Sequence, residues 1–505
     1  MAKLRQLILF FIIFFWGIFL LNNACTACSW SMNIGTVDSP YDDSDMAACV
    51  ADAATKSGAI VILIPNCDVT WDAIIPINMT NWTNVTSLTI QGASKTGTVI
   101  TNSSWAVTTK TNRKFRLTNL TAKGKVLGSN GAAVLVKGDT KPSLGGGFRI
   151  DNIIFDSDID PNGRAIFIFG DTYGLIDNID SNWYGQFSIV YTGIANLSWS
   201  TDDSFGTADA VYLENSKLTN KQPSYQNMVM DHWDGARVVV RYNNISGYYF
   251  GGHDNIGTIR ANRHWEVYNN IMYTNSSYGS PLLGDRGGTG YIYNNQMIST
   301  GAYPFYGPTS GITLTNYRSW SKRDTWCDNI TEKICVSGTV KNCSSDADCG
   351  GISGACQPVD GNIDGTGYPC RDQIGMGKNQ TSRPALFWNN TLKIQNNLPV
   401  LVNAMVNNNC VSDSSETLCN PLAIASGDAR WMANNHIKEN RDFCNGATIP
   451  LSCNGLETTY AAYACPHPLT GLTGSCDPTL AGTLGYNVNI SDTTPPSAPS
   501  GLVVN

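Results

Sequence analysis

Val240-Arg-Tyr-Asn-Asn-Ile245, Glu266-Val-Tyr-Asn-Asn-Ile271 and Tyr291-Ile-Tyr-Asn-Asn-Gln296 are one pattern written three times. With an acid or Asn followed by Asn as the marker, the pattern extends back to Asp151-Asn152, Asp177-Asn178 and Glu214-Asn215, and forward to Asn389-Asn390. The steps between the first six markers are 26, 37, 29, 26 and 25 residues. A recurring period in this range marks a solenoid. The repeats are rich in Val, Ile, Tyr and Thr with Gly and Asn between them, which favours strands and turns over paired helices. The expected fold is therefore all-β, a parallel single-stranded solenoid. Tyr242, Tyr268 and Tyr293 are expected in one column beside a column of Asn. Strands stacked about 4.8 Å apart let each amide bond the one above and below. Longer steps hold loops. The 37-residue step contains Trp199-Ser-Thr-Asp-Asp-Ser-Phe-Gly, and the gap before Asn389 contains a cysteine cluster.

Composition agrees with this class. Of 505 residues 42% are hydrophobic and only 14% charged, with 48 Gly and 13 Trp, as suits a β protein with many turns. The net charge of −7 supplies no basic surface for nucleic acid, so none is expected as a partner. Met-Ala-Lys-Leu-Arg precedes an apolar run from Leu7 to Leu21, a signal-peptide pattern too short for a bilayer span. The expected product is secreted or displayed at the cell surface, without a membrane span after cleavage, and monomeric. Twelve of the 16 cysteines lie between Cys327 and Cys476, which in an exported chain reads as local disulfide staples. Cys343, Cys349 and Cys356 lack the spacing of a zinc site. The expected organisation is a signal peptide over 1–28, capping and main coils over 29–320, a Cys-rich insertion over 321–380 and last coils with a C-terminal cap over 381–490. A Pro-rich linker over 491–505 closes the chain.

Several stretches resemble exported bacterial proteins of the pectate-lyase-like β-helix superfamily. Ala51-Asp-Ala-Ala-Thr-Lys-Ser-Gly-Ala-Ile-Val-Ile-Leu-Ile-Pro65 is similar to its opening, where a short capping helix leads into the first strand. Leu88-Thr-Ile-Gln-Gly-Ala-Ser-Lys-Thr-Gly-Thr-Val-Ile100 is similar to an early coil. Tyr173-Gly-Leu-Ile-Asp-Asn, Gly235-Ala-Arg-Val-Val-Val-Arg-Tyr-Asn, Arg263-His-Trp-Glu-Val-Tyr-Asn-Asn and Pro466-His-Pro-Leu resemble further pieces. The resemblance spans residues 40 to 470 and implies a right-handed parallel β-helix with a disulfide-rich insertion. It speaks to architecture more than to chemistry, because such folds serve lyases, hydrolases, esterases, tailspikes and non-catalytic surface proteins. The tail Asp492-Thr-Thr-Pro-Pro-Ser-Ala-Pro-Ser-Gly-Leu resembles the opening strand of a fibronectin type III domain.

An extended solenoid of this kind is expected to bind or act on a polysaccharide, and the residues suggest where. Asp151, Asp177 and Glu214 precede the Asn column on three successive coils, so three carboxylates are expected to stack. Like charges about 5 Å apart repel unless a cation compensates, and a calcium ion with oxygen ligands would do so. The resemblance implies the same, since pectate lyases hold calcium with acids of neighbouring coils and use an arginine as base. Arg149 and Arg241, two residues before the column, are the candidates for uronate binding or base work. The competing reading makes these acids ordinary surface partners of nearby arginines. A second cluster holds His253, Asp254, Arg260, Arg263, His264 and Glu266 within half a coil. There an Asp-paired His suits proton transfer and two arginines suit an anionic sugar. Trp199, Tyr249 and Trp265, among other loop aromatics, are candidate sugar-stacking faces beside Glu266. Polygalacturonase-type motifs survive only as the fragments Asp202-Asp203 and Gly252-His253, which does not support two-carboxylate inversion. Gly284-Asp-Arg-Gly-Gly-Thr-Gly reads as a tight turn. The two functional expectations are thus a calcium-assisted lyase of acidic glycans and a non-catalytic adhesion module.

Overall fold

Short runs of β-formers separated by Asn and Gly build strands of a few residues, and each strand pairs with its counterpart one repeat later. The computed structural model describes residues 29–30 and 42–480, except 110–112, 127–130, 139–146, 158–162, 192–194, 222–226, 254–259, 275–282, 300–310, 315–332, 336–341, 359–371, 395–396, 407–436, 458 and 473–475. The apolar run Leu7–Leu21 and the Pro-rich tail lie outside the described residues. No helix among the described residues is long and apolar enough to cross a membrane.

One pass of the chain lays down three strands. Gly174–Asp177, Asp180–Trp183 and Ser188–Tyr191 are followed by Val211–Glu214, Lys217–Asn220 and Met228–Trp233, then by Arg237–Arg241, Asn244–Ser246 and Tyr249–Gly252. The first two strands of each pass join a 21-stranded sheet and the third joins a 10-stranded sheet. Successive passes pair in parallel: Asp177 opposes Glu214 and Glu214 opposes Arg241 in the long sheet, while Tyr191 opposes Trp233 in the shorter one. The chain is all-β, built of parallel strands in two long stacked sheets.

Inward side chains form columns of their own. Ile90, Leu117, Ile150, Ile176, Leu213, Val240, Val267 and Ile292 oppose one another rung by rung and are fully buried. From the 10-stranded sheet Trp105, Val134, Ile166, Met230, Phe250 and Leu283 join the same core. Each such side chain contributes about 1.5–3 kcal/mol on burial, so every rung is anchored by its neighbours.

The asparagines act in two distinct ways. Asn178, Asn215, Asn269, Asn294 and Asn389 adopt φ of 48° to 55°, turning the corner between the first two strands of a pass, and Asn119 and Asn152 take the same conformation within a single bent strand. Asn tolerates this left-handed conformation better than other residues with a Cβ. The residue after the corner points inward, and there Asn243, Asn270, Asn295 and Asn390 form a buried ladder. Each Nδ2 donates to the next Oδ1 at 3.0, 3.0 and 2.9 Å, and the same oxygens accept from the backbone N–H of the rung before. The doublet Asn-Asn therefore carries a corner and a core bond together.

This corner corrects the expected tyrosine column. Tyr242 itself occupies the left-handed position, with φ 55°, where the other passes have Asn. The register is therefore one residue off the expected one at this pass: Arg241, not Tyr242, opposes Tyr268, and Tyr268 opposes Tyr293. Tyr268, Tyr293 and Trp388 stack with centroids 4.6 and 4.2 Å apart and nearly parallel planes.

A helix over Asp43–Ala53 precedes the first long strand, Gly58–Ile64. Asp42 caps its N-terminus by accepting from the backbone N–H of Ser44 and Asp45, and Met46, Cys49, Val50 and Ala53 face inward. Within the Cys-rich insertion, Lys333–Cys335, Asn342–Cys343 and Cys356–Pro358 form a small antiparallel sheet. It is crosslinked by Cys335–Cys349 and Cys343–Cys356. Cys444–Cys453 and Cys465–Cys476 staple the C-terminal region.

The buried ladder yields a stability prediction. Asn270→Ala strips Asn243 of its acceptor, and Asn295 Oδ1 and the Val240 carbonyl of a donor. It is expected to cost about 3 kcal/mol or more in urea unfolding, whereas Asn269→Gly at the corner is expected to cost less than about 1 kcal/mol.

Candidate functional site

The stacked carboxylates exist, and arginines already answer them. Asp151 opposes Asp177, Asp177 opposes Glu214, and Arg241 stands next in the same column. Arg116 holds Asp151 through Nε and Nη2, both at 2.7 Å, and Thr118 adds a third bond at 3.0 Å. Arg149 forks onto Asp177 at 2.9 Å twice and lies 3.5 Å from Asp151. Arg241 holds Glu214 at 2.8 and 2.6 Å. Burial alone would push the Asp151 carboxyl up, but Arg149 and Arg116 keep it below its usual range. Burial does win at Asp177, pushed up to about 6 in spite of Arg149. The carboxylate oxygens are committed to guanidinium forks, so this column does not fit a calcium site. Burial disfavours charge on Arg149 and Arg241 also, yet their acidic neighbours hold both protons more firmly than usual, which opposes a role as base.

The face is also covered. A strap over residues 460–470 lies along it, accepting from Arg149 at Leu469 O (3.2 Å) and from Arg241 at Tyr463 O and Ala464 O (2.6 and 2.7 Å). The His467 N–H donates to Glu214 at 2.9 Å, and the Tyr460 hydroxyl donates to Glu266 at 2.5 Å. Burial pushes Glu266 up. Burial, with Arg241 and Arg149 nearby, pushes the His467 imidazole down to about 3.

The second expected cluster is divided between two faces. The chain leaves the 10-stranded sheet at Gly252 and enters the long sheet at His264, so residues close in sequence part at a corner. Arg260 pairs with Asp372 through two bonds of 2.6 Å, and Arg263 pairs with Asp203. Both guanidinium groups pack on Trp199, at 5.0 and 5.2 Å from its ring. His264 is buried against Phe205 with neither ring nitrogen hydrogen-bonded, and burial drives its pKa well down. Trp199 and Trp265 are fully buried, which overturns their expected role as exposed sugar platforms. Trp265 points inward because its strand alternates around the core, and Gly290 on the next rung leaves room for its indole. Asp254 lies outside the described residues.

His253 and Tyr249 fall on the outer face of the 10-stranded sheet, and there the structure assembles groups that the repeat pattern did not single out. Phe169 opposes Tyr191 and Tyr191 opposes Trp233. All three rings are half-buried and form a column along the stack, with centroids 5.3 and 5.2 Å apart. His253 continues it, stacked on Trp233 at 4.7 Å. The Lys137 ammonium sits 5.6 Å from the Phe169 ring at one end, and Arg286 lies 3.4 Å from His253 Nδ1 at the other. Beside the column Asp231 faces His253 Nε2 at 2.8 Å and accepts from Gln186 at 3.0 Å. Burial would raise the Asp231 carboxyl, but His253 and Gln186 hold it low and ionised. Beneath the face His232 Nε2 contacts Asp285 at 3.0 Å, across the rung where Gly252 has no side chain to intervene. The stretch read as a tight turn bends at 286–288 and also supplies a short strand, Leu283–Asp285, whose Asp285 meets His232 in the core. The sequence held a signal for this face in Asp231-His-Trp-Asp-Gly, a polar and aromatic run that ends a strand in a turn.

Comparison with known proteins adds nothing further, since no family model, curated protein or solved structure matches the chain.

The strap carries a pH signature. His467 is neutral when docked, whereas a free imidazole has a pKa near 6.5. The unfolded chain therefore binds the extra proton between pH 6.5 and 3, and acid removes stability there. Relative to His467→Gln, the wild-type protein should lose about 2 kcal/mol between pH 7.5 and pH 5.0, read as the difference in urea unfolding free energy.

Proposed function

We propose that the stacked sheets are a right-handed parallel β-helix of a secreted protein, and that it binds an extended polysaccharide along its 10-stranded face. The column Phe169–Tyr191–Trp233 carries this reading. Half-buried rings repeat at the rung spacing along the stack, so that a polymer lying lengthwise would run along a continuous strip of aromatic surface. Polar groups flank the rings, with Asp231 and Gln186 on one side and Lys137 and Arg286 at the ends. An unbranched polymer suits a straight stripe; a compact ligand would suit a closed cavity better. Four short-range disulfide loops and the apolar N-terminal run fit export.

Binding rather than cleavage is the stronger form of the proposal. The arginines and acids that suggested a calcium-assisted lyase are paired beneath the strap, which favours an adhesion or carbohydrate-binding role. On the stripe itself, His253 beside Asp231 is the group suited to moving a proton, so an enzymatic version would work there without the acid column.

Affinity gel electrophoresis against neutral and acidic polysaccharides tests the reading. The wild type should be retarded by at least one polymer. Trp233→Ala and Tyr191→Ala should each weaken retention about ten-fold, as one lost aromatic contact of about 1–2 kcal/mol would. Circular dichroism should stay unchanged. Free migration through every gel, or retention indifferent to both substitutions, would defeat the proposal; release of unsaturated uronate products would add lyase activity to it.

A further inference from the structure

After the short helix Ala195–Ser200 the chain is fastened to the long sheet by three consecutive residues, Asp203, Ser204 and Phe205. Asp203 accepts from Arg263 and pairs with Arg383 Nε at 3.0 Å. Ser204 Oγ accepts from Arg237 Nη1 at 2.6 Å, and the Phe205 ring packs on His264 with centroids 4.4 Å apart. Arg237 and His264 also oppose each other in register, one rung apart. Three guanidinium groups and an imidazole are thus gathered under one stretch of loop.

Their charge is not balanced. Arg237 gives its hydrogen bonds to Ser198 Oγ and O, Thr201 Oγ1 and Ser204 Oγ, all neutral oxygens, and makes no ion pair among the described residues. Arg263 and Arg383 share the single carboxylate of Asp203. Asp202 turns outward to Lys378 at 2.9 Å, and Glu266 is engaged by the Tyr460 hydroxyl and the Gly206 N–H. Burial, with Arg237 beside it, pushes the Arg263 guanidinium down to about 10 in spite of Asp203, which still leaves it charged at neutral pH. Three positive charges therefore face one negative charge. Donors are left over as well, since Arg263 Nε and Nη1 and both His264 ring nitrogens are buried without a hydrogen-bond partner among the described residues.

We propose that these groups enclose a binding site for a small monovalent inorganic anion of the size of chloride, held by Arg263 Nε and Nη1 and the His264 ring N–H, with Arg237 adding its charge from the next rung. A water molecule would satisfy the donors but leave the excess charge as it is, whereas an anion answers both. Because Arg263 and His264 are fully buried, the ligand has to be small enough to be enclosed, which a group borne on a polymer is not. The ion would fasten the 203–205 loop to the sheet. The site stands independently of the polysaccharide reading.

Thermal unfolding of the purified full chain in sodium chloride and in sodium gluconate, at equal ionic strength and neutral pH, tests it. Replacing gluconate with about 100 mM chloride should raise the midpoint by about 2 °C or more, and bromide should do the same. Arg263→Met should lose that shift, whereas Lys217→Met, an exposed cation on the same sheet, should keep it. Should Arg263→Met fail to fold, wild-type crystals soaked in bromide decide, with an anomalous peak expected within hydrogen-bond reach of Arg263 and His264. Equal midpoints in the two salts, a chloride shift that survives Arg263→Met, or a water molecule in place of the bromide peak overturns the site.

Discussion

A parallel strand paired on both sides can satisfy its backbone only if the chain returns one pass later in the same register, and everything else in this protein depends on that return. Slippage by one residue would exchange the aliphatic columns for the charged and aromatic ones. The corner asparagines set where each pass bends, and the buried Asn ladder locks the next residue to the rung above. A side-chain amide suits the second task because it donates and accepts at once, so each rung completes the hydrogen bonds of its neighbour. Apolar residues at these positions would bury as well but would leave backbone groups of the corner without partners.

Register has an electrostatic counterpart on the outer face of the long sheet. Placing Asp151, Asp177 and Glu214 one above another would be costly alone, and the same vertical order places Arg116, Arg149 and Arg241 within reach. The pairs are nearly dry, so they contribute less to net stability than to uniqueness: a strap seated elsewhere would leave buried charges unpaired. The strap in turn converts what would be an open polar groove into an interior. The half-buried aromatic rings Phe169, Tyr191 and Trp233 lie on the other sheet, away from this enclosed face.

The repeat, the all-β class, the parallel pairing and the local disulfides were legible in the sequence because they rest on short-range pattern. The Asn-Asn doublet recurs wherever a corner is followed by an inward amide, and the stacking of the three carboxylates follows from it. The register at Tyr242 was not legible, since a tyrosine in a left-handed corner breaks the preference that made the pattern visible. Burial of Trp199 and Trp265 was also hidden. Trp265 lies on the core-facing side of its strand, and Trp199, on a short helix, is covered by Arg260 and Arg263 and donates to the Ala261 carbonyl 62 positions on, a pairing no local pattern announces. The Phe169–Tyr191–Trp233 column escaped notice because loops of unequal length between its members erase any fixed spacing. The split of the His253 cluster shows the converse error, in which nearness along the chain was taken for nearness in space.

The described disulfides close loops of only 9 to 14 residues, whereas Arg149 reaches a strap carbonyl 320 residues further on. These two scales divide the order of assembly. Rungs can pair and staples can close as the chain emerges from its N-terminal end, each step needing only what has already appeared. The charged face, though its ion pairs form among residues 116–241, must wait uncovered until the strap over 460–470 arrives. Arrival of the strap is thus recorded at one place, and a chain cut short anywhere before residue 460 would carry its paired arginines and carboxylates exposed to solvent.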